Sequence, residues 1–143
     1  MEVARKGDSL ALRLDHGDDI LCSIGRSIES ERSTMSIVAG LGMISEFELG
    51  YFDEGSYIKA YFEEAHELLS MQGSVSSEGD PRIHIHVAVA DRSHKAYGGH
   101  LLQGKAWMSN EIFMIRIDGL HSVREIDPEK RVGILRLLQV ESE

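Results

Sequence analysis

Two histidines lie in the run Arg82-Ile83-His84-Ile85-His86-Val87-Ala88-Val89-Ala90-Asp91, alternating with Ile85, Val87 and Val89. Alternate side chains of an extended strand share a face, so both imidazoles project the same way from Cα atoms about 7 Å apart. Rings reaching out from that separation can converge on one ion at the zinc–imidazole bond length of about 2.0–2.1 Å. A third histidine, His100, follows Gly98-Gly99. The chemistry in view is neutral imidazoles on a divalent ion, zinc in the first place, with a fourth position open to water. The competing reading is three polar residues near a subunit seam, bonded to backbone or solvent. Spacing sets a condition on the metal reading. In a plain hairpin turning about residues 94–95, His100 would oppose residue 89, out of reach of His84. Either the Asp91–Gly98 loop folds back, or His100 comes from a neighbouring subunit.

Two carboxylates near this block, Glu67 and Asp91, are the candidates for a catalytic base or a partner to a metal ligand. Each is also readable as a solvated surface acid. His94 and His121 sit in polar loop contexts and read as surface residues. Gly98-Gly99 reads as a turn needing positive φ, without the strand–Gly-x-Gly-x-x-Gly–helix setting of a dinucleotide site. No serine lies in Gly-x-Ser-x-Gly. Cys22, beside Leu21, reads as a buried, inert thiol.

The elements that must position these residues follow from periodicity. Leu10, Leu12 and Leu14 alternate as in a strand. Ile20, Leu21, Ile24 and Ile28 keep helical spacing behind an N-cap at Asp18, predicting an amphipathic helix over residues 18–32. Residues 36–44 read as a buried strand with a bulge or close approach at Gly40 and Gly42. Further strands are expected at 46–52, 57–61, 83–90, 106–117 and 131–140. Residues 66–71 are ambiguous, and Gly73 to Pro81 reads as a polar loop. Tyr51, Phe52, Tyr57, Tyr61 and Phe62 read as core or interface aromatics.

Length and charge bound the rest. The 143 residues fit one domain, 1–143, large enough to bury a core without staples. The net charge of −9 disfavours direct binding to nucleic acid or to an anionic membrane, although protonation of the seven histidines would cancel most of it. The single cysteine excludes an internal disulfide and a multi-cysteine zinc site, and suits a cytoplasmic location. No signal peptide or membrane span is expected.

The blocks Gly40-Leu41-Gly42-Met43-Ile44, Leu49-Gly50-Tyr51-Phe52-Asp53, Glu67-Leu68-Leu69-Ser70-Met71-Gln72-Gly73, His84-Ile85-His86-Val87 with Ala90-Asp91, and Gly98-Gly99-His100-Leu101-Leu102-Gln103-Gly104, in that order, resemble the PPC (plants-and-prokaryotes conserved) domain. The resemblance implies an α+β fold, an antiparallel sheet with one main helix packed on it, and assembly with itself as a homotrimer. It also implies a histidine cluster that invites a metal, and it favours Glu67 over His66 as an accessory group. In plants the domain follows AT-hooks and mediates protein association. This chain has no Arg-Gly-Arg-Pro core, so the DNA binding of hook-bearing relatives does not carry over. Two functions are therefore expected to compete. One is a trimeric module binding metal at His84, His86 and His100, with a protein partner or small ligand and in a DNA-associated or regulatory setting. The other is a zinc-dependent hydrolase or lyase using the same histidines with Glu67 or Asp91.

Overall fold

Leu10, Leu12 and Leu14 are buried on one face of a strand, as their alternation predicts, and Ile20 and Ile24 of a short helix, with Ile28 just past its end, join them in the core. The computed structural model of the chain describes residues 1–138. In chain order the elements are β1 (Glu2–Lys6), β2 (Ser9–Asp15), α1 (Ile20–Ser27), β3 (Met35–Asp53), β4 (Ser56–Phe62) and β5 (His66–Val75). They continue with β6 (Glu78–Gly79), β7 (Ile83–Ala90), β8 (Ala96–Arg116), β9 (His121–Ile126) and β10 (Gly133–Leu138). The predicted strand over 131–140 extends beyond the described residues. Among the described residues no helix is long and apolar enough to cross a membrane.

The molecule is more strongly β than an α+β reading with one main helix implies. The helix spans eight residues, not the fifteen of 18–32. Its N-cap is Asp19, one residue later than predicted, with Oδ1 accepting from the Cys22 N–H at 2.8 Å. It ends early because the next turn is held by other bonds. The Glu31 carboxylate accepts from the Arg32 and Ser33 N–H groups at 3.1 and 3.2 Å. Such side-chain bonds offer the backbone an alternative to helix. Ile28 stays buried, so the apolar period outlasts the helix.

Four antiparallel strands close a ring. β3 pairs with β5, β5 with β7, β7 with β8, and β8 with β3. β2 and β1 continue from the far half of β8, and β4 from the far half of β3. The ring interior holds Ile37, Phe47, Met71, Ile85, Val87 and Leu101. Two predicted strands, 36–44 and 46–52, are one strand interrupted by irregularities at Ile37/Ala39, Gly42/Met43 and Ser45/Glu48. Gly42 has φ of +133°, and a Cβ there would sit 2.3 Å from the Ser109 carbonyl. The bulge therefore requires glycine. The predicted loop from Gly73 is strand as far as Val75, because Gly73 to Val75 continue the β7 ladder.

A second sheet, β10–β9–β6, lies beyond the main one. It is tied down through Ser122. Its Oγ bonds Thr34 Oγ1 at 2.7 Å, its N–H donates to Ser77 Oγ at 2.8 Å, and its carbonyl accepts from the Ser77 hydroxyl at 2.5 Å.

Gly98 and Gly73 serve strand packing. Neither has positive φ, which corrects the turn expected at Gly98-Gly99. A Cβ on Gly98 would stand 2.2 Å from the Val87 carbonyl, and one on Gly73 the same distance from the His84 carbonyl. Gly98→Ala must spread the β7–β8 ladder and is expected to cost about 1–3 kcal/mol, read from the urea midpoint. An unchanged midpoint would contradict this account.

A candidate metal centre on the β7–β8 ladder

The hairpin between β7 and β8 turns earlier than a plain turn about residues 94–95. Ala90 pairs with Ala96, leaving a five-residue loop, and His86 stands directly opposite His100. The loop is set by Asp91, whose carboxylate accepts from the Ser93 N–H at 2.8 Å, the Ser93 hydroxyl at 2.6 Å and the Lys95 N–H at 3.1 Å. His94 takes the left-handed conformation at φ 63° and donates its N–H to the Asp91 carbonyl at 2.9 Å. The geometric obstacle raised by the sequence is thereby removed: all three histidines meet within one chain, with no need of a neighbour's His100.

Paired residues on adjacent strands share a face. Gln72, His86, His100 and Gly50 form one lateral row across β5, β7, β8 and β3, with Ser74 and His84 beside it. Ile85 and Val87 point into the core, so the imidazoles point out of the ring. One ring nitrogen from each of His84, His86 and His100 lies within 4.8 Å of the others. His84 Nε2 and His86 Nε2 are 3.0 Å apart. A tetrahedral ion with bonds of about 2.0–2.1 Å has edges of about 3.3–3.4 Å, so small ring rotations bring the set to coordinating geometry. His100 Nδ1 is buried with no hydrogen-bond partner, a deficit that native interiors rarely tolerate. The donor set suits zinc or another divalent ion with a taste for imidazole.

The surroundings fix the rings. His100 stacks on Tyr57 with centroids 5.0 Å apart. Tyr57 reaches it across Gly50, where a Cβ would lie 2.6 Å from the Tyr57 ring. From β9, Arg124 donates to Ser74 Oγ at 2.8 Å and, in the metal-free protein, to His84 Nδ1 at 3.2 Å. Ligation through His84 Nε2 would release the second bond, because Nδ1 would then carry the proton. Burial, then the charge of Arg124 and the neighbouring His86, push the His84 imidazolium down. Burial, then His84, His86 and Arg124, push His100 down to about 4. Both rings are therefore neutral at physiological pH, the form that ligates metal. His86 is exposed and gives solvent a route to the cluster.

Neither carboxylate candidate reaches the site. Asp91 lies five residues along β7 from His86, about 16 Å at the strand rise, and is engaged in the turn. Glu67 pairs with Ala90 at the same remote end and is exposed. His66 is buried elsewhere, its Nδ1 bonded to the Glu64 carbonyl at 2.9 Å and its Nε2 to the Tyr97 hydroxyl. His94 is exposed as expected, whereas His121 opens β9 and is half-buried. Cys22 is exposed, contrary to expectation, but Asp19 beside it raises its pKa and keeps the thiol protonated. Arg124 and Ser74 were not singled out from the sequence, and Tyr57 was read only as a core or interface aromatic. The alternation of Ser122 and Arg124 with Val123 was the available signal for β9.

Comparison with known proteins places this geometry. The Plants and Prokaryotes Conserved (PCC) domain profile, the PPC domain of the resemblance above, matches residues 1–118. No curated protein sequence matches the chain. Among solved structures, a metal-containing protein from Archaeoglobus fulgidus is 28% identical with TM-score 0.80, covering 94% of this chain and 95% of its own. A PPC protein from Pyrococcus horikoshii is 25% identical with TM-score 0.81, covering 97% and 96%. A protein from Ralstonia eutropha described as a candidate DNA-binding protein shares the fold at 24% identity and TM-score 0.82, covering 95% and 96%. With the family profile matched over most of its length, the chain belongs to the Plants and Prokaryotes Conserved domain family.

Proposed function

We propose that the chain is a single-domain, homotrimeric binding module that holds one divalent ion, zinc, on His84, His86 and His100 of each subunit. The convergence of three imidazoles on one outward face, with His84 and His100 held neutral by burial, carries this reading. The metal-containing relative from Archaeoglobus fulgidus supports it. A bound zinc would supply Lewis acidity at the face opened by His86. A zinc enzyme on the same histidines is the weaker reading, because the described cluster contains no carboxylate to serve as base. Direct contact with nucleic acid is not proposed for a chain of net charge −9, whatever regulatory assembly it joins.

The trimer reading rests on an apolar face away from the histidines. Val38, Leu41, Phe113 and Ile115 are exposed side by side on β3 and β8. A patch of this kind marks an association surface. A second copy is the occupant that the family resemblance favours. Sedimentation equilibrium should give three chain masses for the wild type and one for Phe113→Glu. A wild type that sediments as a monomer would refute the assembly.

Zinc titration followed by elemental analysis should give one equivalent per chain, and close to none for the His84→Ala/His86→Ala double variant. Equal, near-zero content in both would end the metal reading. Free zinc at 1,000 times its dissociation constant should stabilise the fold by about 4 kcal/mol, read as a raised melting temperature.

Metal-free protein should show a further signature. His84 and His100 refuse protons that the unfolded chain accepts from pH 6.5 downward. Stability is therefore full above pH 6.5 and declines as pH falls toward about 4. Melting in EDTA across this range should show the decline, and His100→Gln should flatten it. A profile identical in the variant would disprove the assignment to His100.

A further inference from the structure

Arg124 is 5% exposed, yet among the described residues no carboxylate pairs with it. Its guanidinium donates only to neutral groups, His84 Nδ1, Ser74 Oγ and, at 3.4 Å, the Gly133 carbonyl, and its Nε is buried without an acceptor. A buried charge without a counter-ion is costly. Arg124 lines a cavity of about 230 Å³ between the main sheet and the β9–β10 hairpin. Arg131, His84 and His100 line the same cavity, together with the apolar side chains of Ile83, Leu102, Ile126 and Val132. No acidic residue lines it, although the chain carries 24 acids against 15 basic residues. A cavity so selectively free of negative charge, in so acidic a protein, is built for an anion.

We propose that this cavity binds a small organic monocarboxylate. The carboxylate meets Arg124 and Arg131, and its apolar body lies against Ile83, Leu102, Ile126 and Val132. One buried fixed charge matches a monoanion better than a phosphate dianion, and the apolar side chains of the wall suit an organic body. The volume is that of about eight waters at about 30 Å³ each, which restricts the ligand to a small acid. Charge and walls come from the protein alone, so the cavity accepts the anion with or without metal on the histidines.

Isothermal titration of benzoate into EDTA-treated protein at neutral pH and low salt tests this. One site per chain with a dissociation constant at or below about 1 mM is expected, in keeping with a ligand of this size. Benzamide, its neutral analogue, should show no binding. Arg124→Met should weaken benzoate by about tenfold or more, the loss of a charge-assisted bond. Should that variant fail to fold, the exposed Arg131→Gln decides, with a weakening of about fivefold or more expected. Benzamide binding as well as benzoate, inorganic phosphate binding more tightly than benzoate, or an unaltered Arg131→Gln variant would overturn the proposal. Zinc content measured on a separate, zinc-loaded sample that has not met EDTA reports on the histidines, so failure of one reading leaves the other standing.

Discussion

The register between β7 and β8 is the constraint from which the rest follows. A shift of one residue in a strand pair sends every side chain to the other face. Here such a shift would turn Ile85, Val87 and Val89 out of the core and the imidazoles into it. The pairing of Ala90 with Ala96 therefore fixes two things at once, a filled ring interior and the placement of His86 opposite His100. Apolar burial, the larger energy, enforces the register, and the histidine cluster inherits its geometry from it. Because the ring closes through β3 and β5, neither strand can slide without breaking a second ladder.

Around that row the protein spends side-chain volume carefully. Gly50 is bare so that Tyr57 can cross it and lie on His100. Gly73 and Gly98 are bare so that neighbouring backbones can close on the histidine strand. On the open side, the serine and threonine bonds about Ser122 hold β9 in place and so hold Arg124 against His84. The imidazoles are thus positioned from below by strand pairing and from above by a small sheet. The neutrality of His84 and His100 is a product of the burial this creates.

The shared face of His84 and His86 was legible because a strand has period two and the intervening residues are uniformly apolar. The ring's other strands were legible to the extent that their alternation was unbroken. It is broken in β3, where Gly42 and Glu46 take positive φ, and one strand there read as two. The meeting of His100 with His86 was not legible, since it depends on which residues make the turn. The bonds from Ser93 and Lys95 to the Asp91 carboxylate, with a left-handed His94, decide that. The same turn explains why Asp91 stands apart from the histidines of its own chain: its carboxylate is engaged in the loop. Arg124 was invisible for a different reason. Its contact with His84 spans 40 positions and exists only once two sheets have docked.

The family profile ends at residue 118, and β9 starts at His121. The donor rings and the β9–β10 part of their roof are consequently encoded in separate stretches of the chain. Substitutions in the roof can retune charge and shape above the rings while the ladder beneath, bound by its packing, stays as it is. Diversity among relatives should on this basis concentrate in the C-terminal hairpin, leaving a common footing under differently furnished chambers.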